Sequence, residues 1–464
     1  MSSSGTGSVS SSVSSSGSGS PLGRGLVRDL ERQVREAQSQ WHSPAVSAGI
    51  VRDGALAWSM HVGSARLDPI TAPTDDTQYM IGSITKTFTA VLIMRLRDSG
   101  TLSLDDRLEK YLPQTRHGAM TIRSMLAHAS GLQREPVGRI WESLDAPDRE
   151  RLLRELEDAE QVLPVHFAFH YSNLAFGLLG QIVEQLEGRP WGDAVAERIL
   201  APLEMRNTGL DPDDAGRALG YQVHPHTGAA TLEPRFDLKA TAPVGGLWST
   251  VADLCRYAAF VADPIDEILS PDTLDEMCRP QIMTDVEGWG RAWGLGYDLQ
   301  RVGERVLAGH GGAMPGFLAG LRVRRPDRVG SVVFANSTAG AETTALATSL
   351  VNAVLDAEPS MAPVWTPSQR QPDFDGILGS WWTEGSEIVF EVRDNVLWSR
   401  VRGGLPIADT RFDRTDADRF RAVAGRERGE LLEITRGAGG DVERMHFATY
   451  ALTRTPMAFA NLLD

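Results

Sequence analysis

The sequence predicts an α+β body followed by a small all-β domain, and three observations carry that reading. Up to residue 357, apolar residues recur at helical spacing in some segments and alternate or run continuously in others. Between 358 and 371, Pro and Ser replace any periodicity, which marks a linker. From 372 to 464 short alternating runs follow one another, with a turn at intervals of about eight to twelve residues. That texture fits a small antiparallel β-barrel or sandwich.

The ends and the composition set the frame. Residues 1–21 are almost entirely Ser and Gly and read as a disordered tail. The expected division is therefore 1–21 tail, 22–357 main domain, 358–371 linker and 372–464 C-terminal domain. Hydrophobic residues at 42% and charged residues at 23% are ordinary for a soluble globular chain. A net charge of −15 argues against nucleic acid and anionic membrane as partners. No apolar run is long enough to cross a bilayer, and the start lacks the charged and apolar regions of a secretory leader. A cytoplasmic location is the expectation.

Leu26, Val27, Leu30, Val34 and Ala37 recur at helical spacing, so an amphipathic helix opens the main domain. Ala45 to Leu67 reads as two strands joined at Asp53-Gly54, a hairpin signal. Next comes Gly82-Ser83-Ile84-Thr85-Lys86, running into Phe88, Ala90, Val91, Leu92, Met94 and Leu96 as a helix that ends near Ser99-Gly100. A short helix is expected over Thr121 to Ala127, with His128 as a hydrogen-bonding residue at its end. Residues 133–165 mix acids and bases around Leu152, Leu153 and Leu156, and read as a helical lid or subdomain.

Tyr171-Ser172-Asn173 precedes a strong amphipathic run ended by Gly188 and Pro190. Pro243 to Thr250 marks a tight turn, and Thr250 with Asp253 predicts a capping box for the following helix. Val306 to Gly312 is expected at a strand edge, and Val332 to Ala335 as a buried strand. Cys255 and Cys278 form no metal-ligand spacing; they could pair, but reduced thiols are the default in the cytoplasm. His166 and His170, like His224 and His226, lack the clustered acids or thiols of a metal site. No metal and no cofactor are expected.

Chemistry concentrates at Ser83 and Lys86. Three residues apart on a helix, they share a face, so the hydroxyl and amine can touch. Serine needs a base and an oxyanion site to act as a nucleophile. Only Lys86, Lys110 and Lys239 are lysines, and all other basic residues are arginine. Arginine holds its proton in a protein, whereas a desolvated lysine can lose it.

Ser83-x-x-Lys86, Tyr171-x-Asn173 and His310-Gly311-Gly312 stand in that order, each where a helix or strand should begin. Together they resemble the penicillin-recognising serine hydrolases, in the class C β-lactamase-like branch with its esterases and D-peptidases. Met125 to Leu132, Pro202-Leu203-Glu204-Met205 and the Gly245-Gly246-Leu247 turn extend the likeness over roughly residues 22–355. The resemblance implies an α/β sandwich, an antiparallel sheet flanked by helices, beside an all-helical region, with the site between them. It implies Ser83 as nucleophile, with Lys86 and Tyr171 sharing the base work and Lys86 lowering the Tyr171 pKa. It implies Asn173 against the substrate acyl side chain, and Ser83 and Ala313 N–H groups as oxyanion hole, with Gly311 and Gly312 leaving room.

His310 departs from the lactamases, which carry lysine there, and resembles the esterase and D-peptidase relatives. Protonated below a pKa near the reference of about 6.5, it would attract a substrate carboxylate only at lower pH. The C-terminal barrel resembles the lipocalin-like appendage of several such hydrolases. The function implied is a serine hydrolase acting through an acyl-enzyme on an ester or amide of a small molecule or short peptide. Alternatives are a D-amino-acid-specific peptidase or carboxypeptidase, a β-lactamase, an acyltransferase or peptide-cyclising thioesterase, and a non-catalytic binding protein of the same fold.

Overall fold

A computed structural model of the chain describes residues 22–457, apart from 114, 339, 362–363, 365–373, 384 and 404–408. The Ser/Gly-rich tail and most of the expected linker lie outside the described residues. The chain separates into two compact units that divide between Ser360 and Met361.

The first unit is built on an antiparallel sheet. Strands β1 (Ala45–Arg52) and β2 (Ala55–Gly63) form the expected hairpin. Asp53 and Gly54 turn it with φ of 50° and 84°, the left-handed pair that a two-residue hairpin loop needs. Six later strands complete it: β3 (Ile282–Met283), β4 (Arg291–Trp293), β5 (Asp298–Val302), β6 (Arg305–Met314), β7 (Phe317–Arg324) and β8 (Val329–Ala335). Their order is β2-β1-β8-β7-β6-β5-β4-β3.

Both faces of the sheet are covered. Helices α1 (Arg24–Trp41) and α6 (Thr343–Ala357) bring Leu30, Val34, Leu350 and Val354 against Val46, Ala48, Ile50, Val333 and Ala335. On the opposite face, α5 (Val251–Ala262) packs Leu254 and Tyr257 into the core that holds Val332 and Phe334. Burial on both sides explains why β8 is apolar at consecutive positions. Thr250 caps α5 by accepting the Asp253 N–H at 3.1 Å. The second half of the expected capping box is not made. The Asp253 carboxylate instead accepts from the Asn207 N–H at 2.7 Å, the Thr208 hydroxyl at 3.0 Å and Arg256 at 2.9 Å.

The helical region centres on α2 (Thr85–Asp98), where every residue from Thr85 to Met94 is buried. A helix apolar all round belongs inside a domain rather than on its surface. It lies against α4 (Asn173–Glu187) and the Ala242–Gly245 turn. Its threonines keep their polar atoms paired: Thr87 receives the Tyr257 hydroxyl at 2.8 Å, and Thr89 donates to the Pro243 carbonyl at 2.8 Å. A short helix, α3 (Ile122–Leu126), leads to His128, while 133–165 contributes two short helical segments, Ile140–Ser143 and Arg149–Glu155.

The expected strand edge at 306–312 holds only in part. Strand β6 pairs with β5 over Arg305–Gly309 and with β7 over Ala308–Met314, so it is paired on both sides only at Ala308 and Gly309. Beyond Gly309 β5 ends, and residues 310–314 pair with β7 alone. That unpaired half faces the turn carrying Ser83.

The second unit is a nearly closed antiparallel barrel of eight strands in sequential order. They are β9 (Gly379–Thr383), β10 (Ser386–Arg393), β11 (Val396–Val401), β12 (Thr410–Asp416), β13 (Arg419–Ala422), β14 (Leu431–Arg436), β15 (Val442–Phe447) and β16 (Tyr450–Leu452). Trp382 and Thr453 exchange backbone hydrogen bonds of 2.8 and 3.0 Å, bringing the first and last strands together. Trp381, Phe390, Phe412, Phe420, Leu432 and Met445 fill its interior, as period-two alternation requires. Among the described residues no helix is long and apolar enough to cross a membrane, and Cys255 and Cys278 are free thiols.

Candidate active site

Gly82, at φ 50°, turns the chain from the Tyr79–Met80 strand into a single 3-10 turn, Gly82–Ile84, which continues as α2. Ser83 stands at that junction and Lys86 lies inside the first turn of the helix. The Nζ of Lys86 is 2.9 Å from Ser83 Oγ and donates to the Val244 carbonyl at 2.8 Å. No part of Lys86 reaches solvent. Burial pushes its amine well below the ordinary lysine range; Glu135 opposes that shift and Arg134 adds to it. A neutral amine has one lone pair. With an N–H spent on Val244, that pair can face the serine hydroxyl.

Tyr171 hydrogen-bonds Ser83, and its ring centroid is 5.0 Å from Lys86 Nζ. The expected lowering of its pKa by Lys86 is not found. Desolvation raises the phenol above its usual value, and a lysine driven towards neutrality supplies little positive charge to offset it. The cation that does favour tyrosinate is Arg134, whose guanidinium lies 4.9 Å from the ring centroid. Tyr171 is therefore a neutral phenol in the resting site.

His128 has the structural place expected of it. It is buried, its Nδ1 accepts the Ser172 N–H at 3.1 Å, and its ring lies 4.1 Å from that of Tyr171. Asn173 opens α4 and donates from Nδ2 to Glu135 at 2.7 Å. Its Oδ1 is buried and has no hydrogen-bond partner among the described residues. The Asn173 and Leu174 N–H groups both donate to the Arg134 carbonyl, at 2.6 and 3.1 Å. Arg134 and Glu135 are thus tied to the Tyr171–Asn173 segment by backbone and side chain.

The unpaired half of β6 supplies His310, Gly311, Gly312 and Ala313. A Cβ on Gly312 would stand 1.9 Å from the Ile81 carbonyl and 3.3 Å from Ser83 N. One on Gly82 would stand 2.6 Å from Ala313 N. These approaches put the backbone nitrogens of Ser83 and Ala313 on facing segments, the arrangement an oxyanion hole requires.

His310 differs from its expected behaviour. It is buried, with Nδ1 2.5 Å from the Gly311 carbonyl, a contact that assigns the proton to Nδ1. Burial pushes its pKa down to about 3. A histidine that stays neutral above that value cannot switch a carboxylate preference near neutral pH. The ratio of kcat/KM for a carboxylated substrate over its neutral analogue is expected to stay level from about pH 5.5 to 8.5. A fall of that ratio through about pH 6 to 7 in steady-state assays would restore the titrating role.

A cavity of about 1260 Å³ is lined by Ser83, Tyr171, Asn173 and His310 through Ala313, with Lys86 buried beneath Ser83. Three separate stretches of the sequence are thereby brought to one place. Sequence reasoning missed Arg134, Glu135, Trp141, Phe169, Arg291 and Trp293, which share the lining. It also missed the Val244 carbonyl, although the turn that carries it was visible. A smaller recess beside Ser83 is walled by Ile140, Trp141, Leu238, Val244 and Met314, with Glu135 and Asn173 as polar members.

A family model described as Beta-lactamase matches residues 28–355, and one described as Domain of unknown function (DUF7586) matches residues 370–454. Beta-lactamase-like protein 2 of Dictyostelium discoideum is 32% identical over 300 residues, 61% of this chain and 54% of that protein. The chain thus spans about half the length of that relative. The D-aminopeptidase of Brucella canis is 27% identical over 436 residues, 91% of this chain and 79% of that protein.

Among solved structures, the octameric penicillin-binding protein homologue from Pyrococcus abyssi aligns with a TM-score of 0.64 at 23% identity, covering 92% of this chain and 99% of that one. The D-amino acid amidase from Ochrobactrum anthropi SV3 aligns with a TM-score of 0.62 at 24% identity, covering 72% and 98%. These two likenesses speak for the fold alone. The family match covers well over half of the sequence, and the chain belongs to the beta-lactamase family.

Proposed function

We propose that the protein is a serine hydrolase that forms an acyl-enzyme on Ser83 and hydrolyses an amide bond beside a D-amino acid in a small molecule or short peptide. The observation that carries the reading is the 2.9 Å contact between Ser83 Oγ and a fully buried Lys86 amine, with the Tyr171 hydroxyl on the same serine. The neutral Lys86 amine takes the Ser83 proton as Oγ attacks the carbonyl carbon. The negative charge that forms on the carbonyl oxygen faces the N–H groups of Ser83 and Ala313. Tyr171, a neutral phenol, donates its proton to the leaving amine and regains one from Lys86, so the C–N bond breaks with a neutral amine departing. Water then repeats the sequence on the acyl-enzyme.

Glu135 supports a substrate with a free amino group. Its carboxylate lies in the recess beside Ser83, fixed by the Asn173 amide at 2.7 Å, and can hold an ammonium next to the scissile carbonyl. The preference for the D form rests on the relative named D-aminopeptidase.

A serine-reactive phosphonate is expected to add once to the protein and not to the Ser83→Ala variant, by intact mass spectrometry. D-alanyl p-nitroanilide should be turned over faster than the L form or a chromogenic β-lactam. An adduct that survives Ser83→Ala would move the nucleophile elsewhere. Faster turnover of the L form would remove the stereochemical part.

A further inference from the structure

Resting on that hydrolase reading, we infer that Arg134 is a positioning residue for proton delivery, its guanidinium stabilising the charge Tyr171 carries after protonating the leaving amine. In that step the phenol O–H bond breaks and an N–H bond forms on the departing nitrogen. A phenolate is left until Lys86, an ammonium since it took the Ser83 proton, returns one. A positive charge held against the ring during that interval makes Tyr171 a stronger acid.

Four basic groups approach the ring. Its centroid lies 4.1 Å from that of His128, 6.2 Å from that of His310, 5.0 Å from Lys86 Nζ and 4.9 Å from the Arg134 guanidinium carbon. Burial holds the Lys86 amine and the His128 imidazole well below their ordinary ranges, and carries His310 to about 3. It therefore disfavours the charged form of all three in the resting site. Arg134 is different, because a guanidinium keeps its proton and its side chain is 63% exposed. Of the four it is the permanent cation.

The backbone holds it in place. The Arg134 carbonyl accepts the Asn173 and Leu174 N–H groups, at 2.6 and 3.1 Å, and the Gln133 carbonyl accepts the Ser172 hydroxyl at 2.7 Å. Residues 133 and 134 are thereby clamped to the three residues that follow Tyr171. The Arg134 side chain takes no part in those bonds, so it can be changed without loosening them. Its Nε instead pairs with Glu135 at 3.4 Å, and Glu135 is itself fixed by the Asn173 amide at 2.7 Å.

The other charges near the phenol have the opposite sign of effect. Burial raises the Tyr171 phenol, Glu135 and Asp298 add to the rise, and Arg134 works against it. Asp298 is already bound twice by Arg291, at 2.8 and 2.8 Å, and once by Arg322, at 2.6 Å. The Glu135 charge is covered once the substrate ammonium proposed above is seated on it. In that complex Arg134 is the uncompensated charge beside the phenolate.

The test compares kcat/KM, which reports acylation, on D-alanyl p-nitroanilide and on the matching p-nitrophenyl ester, whose leaving group needs no proton. Arg134→Gln is expected to lower the anilide value about tenfold and the ester value less than about threefold, the size of a cation–π contact from a solvent-screened arginine. Arg134→Lys keeps a charge and should recover part of the anilide loss. Placed in Tyr171→Phe, Arg134→Gln should cost less than about a further twofold, because the phenol it acts through is gone. Equal losses on anilide and ester, or the full loss again in Tyr171→Phe, would mean a direct effect on substrate or fold and overturn the assignment. So would wild-type anilide rates in Arg134→Gln, or an Arg134→Lys no better than Arg134→Gln. Failure of the hydrolase reading would show separately, as a missing Ser83-dependent phosphonate adduct.

Discussion

Tyr171→Phe is expected to lower kcat by about 10²- to 10³-fold while leaving the fold and KM nearly unchanged. The ring keeps its packing against His128, at 4.1 Å between centroids, and against Trp293, at 5.7 Å. Only the hydroxyl is lost, and with it the hydrogen bond to Ser83. Lys86 remains able to take the serine proton, so attack persists while delivery of a proton to the leaving amine fails. The loss should therefore be larger for a p-nitroanilide than for a p-nitrophenyl ester, whose leaving group departs without protonation. Steady-state rates on both substrates, with a thermal melt of the variant, check this. A normal kcat on the anilide would return Tyr171 to a packing role and leave Lys86 as the only proton carrier. An equal loss on both substrates would place Tyr171 in the attack step instead.

The local parts of this site are legible in the sequence because local geometry sets them. Ser83 and Lys86 meet through helical spacing, Thr250 caps its helix, and Asp53-Gly54 makes its turn. The convergence of residues 83, 171 and 310 is not a local property, and only the family resemblance could suggest it. Desolvation is hidden more deeply. A sequence shows that Lys86 and Tyr171 are near one another in function, but burial decides that the amine is held well below the ordinary lysine range and the phenol above its usual value. The same holds for His310, which burial carries to about 3. Asp298 and Arg322 resemble any charged residues in strands until the register sets them against each other in the interior. Asp253 could be matched to Thr250 three residues away, but not to Asn207, whose N–H competes for its carboxylate.

Gly312→Ala is expected to cost about 10²- to 10³-fold in kcat, because it separates the two backbone nitrogens assigned to the oxyanion hole. The added methyl would stand 1.9 Å from the Ile81 carbonyl oxygen, far inside contact distance. That oxygen is backbone, on the segment that enters the Ser83 turn, so no side-chain rotation can relieve the clash. Strand β6 and the turn must move apart, and the Ala313 N–H moves with the strand. Overpacking of this kind also costs about 1–3 kcal/mol of stability, which a 464-residue chain should survive. Gly311→Ala is the matched control. Its methyl would meet the Thr344 Cγ2 atom at 2.9 Å, the end of a side chain that can shift, and less than about a tenfold loss is expected. Comparing kcat on one small anilide, after melts confirm that both variants are folded, separates a displaced oxyanion hole from general damage to the strand. Equal losses in the two variants would assign the effect to the strand as a whole. Normal turnover by Gly312→Ala would mean that the N–H groups of Ser83 and Ala313 do not hold the developing charge.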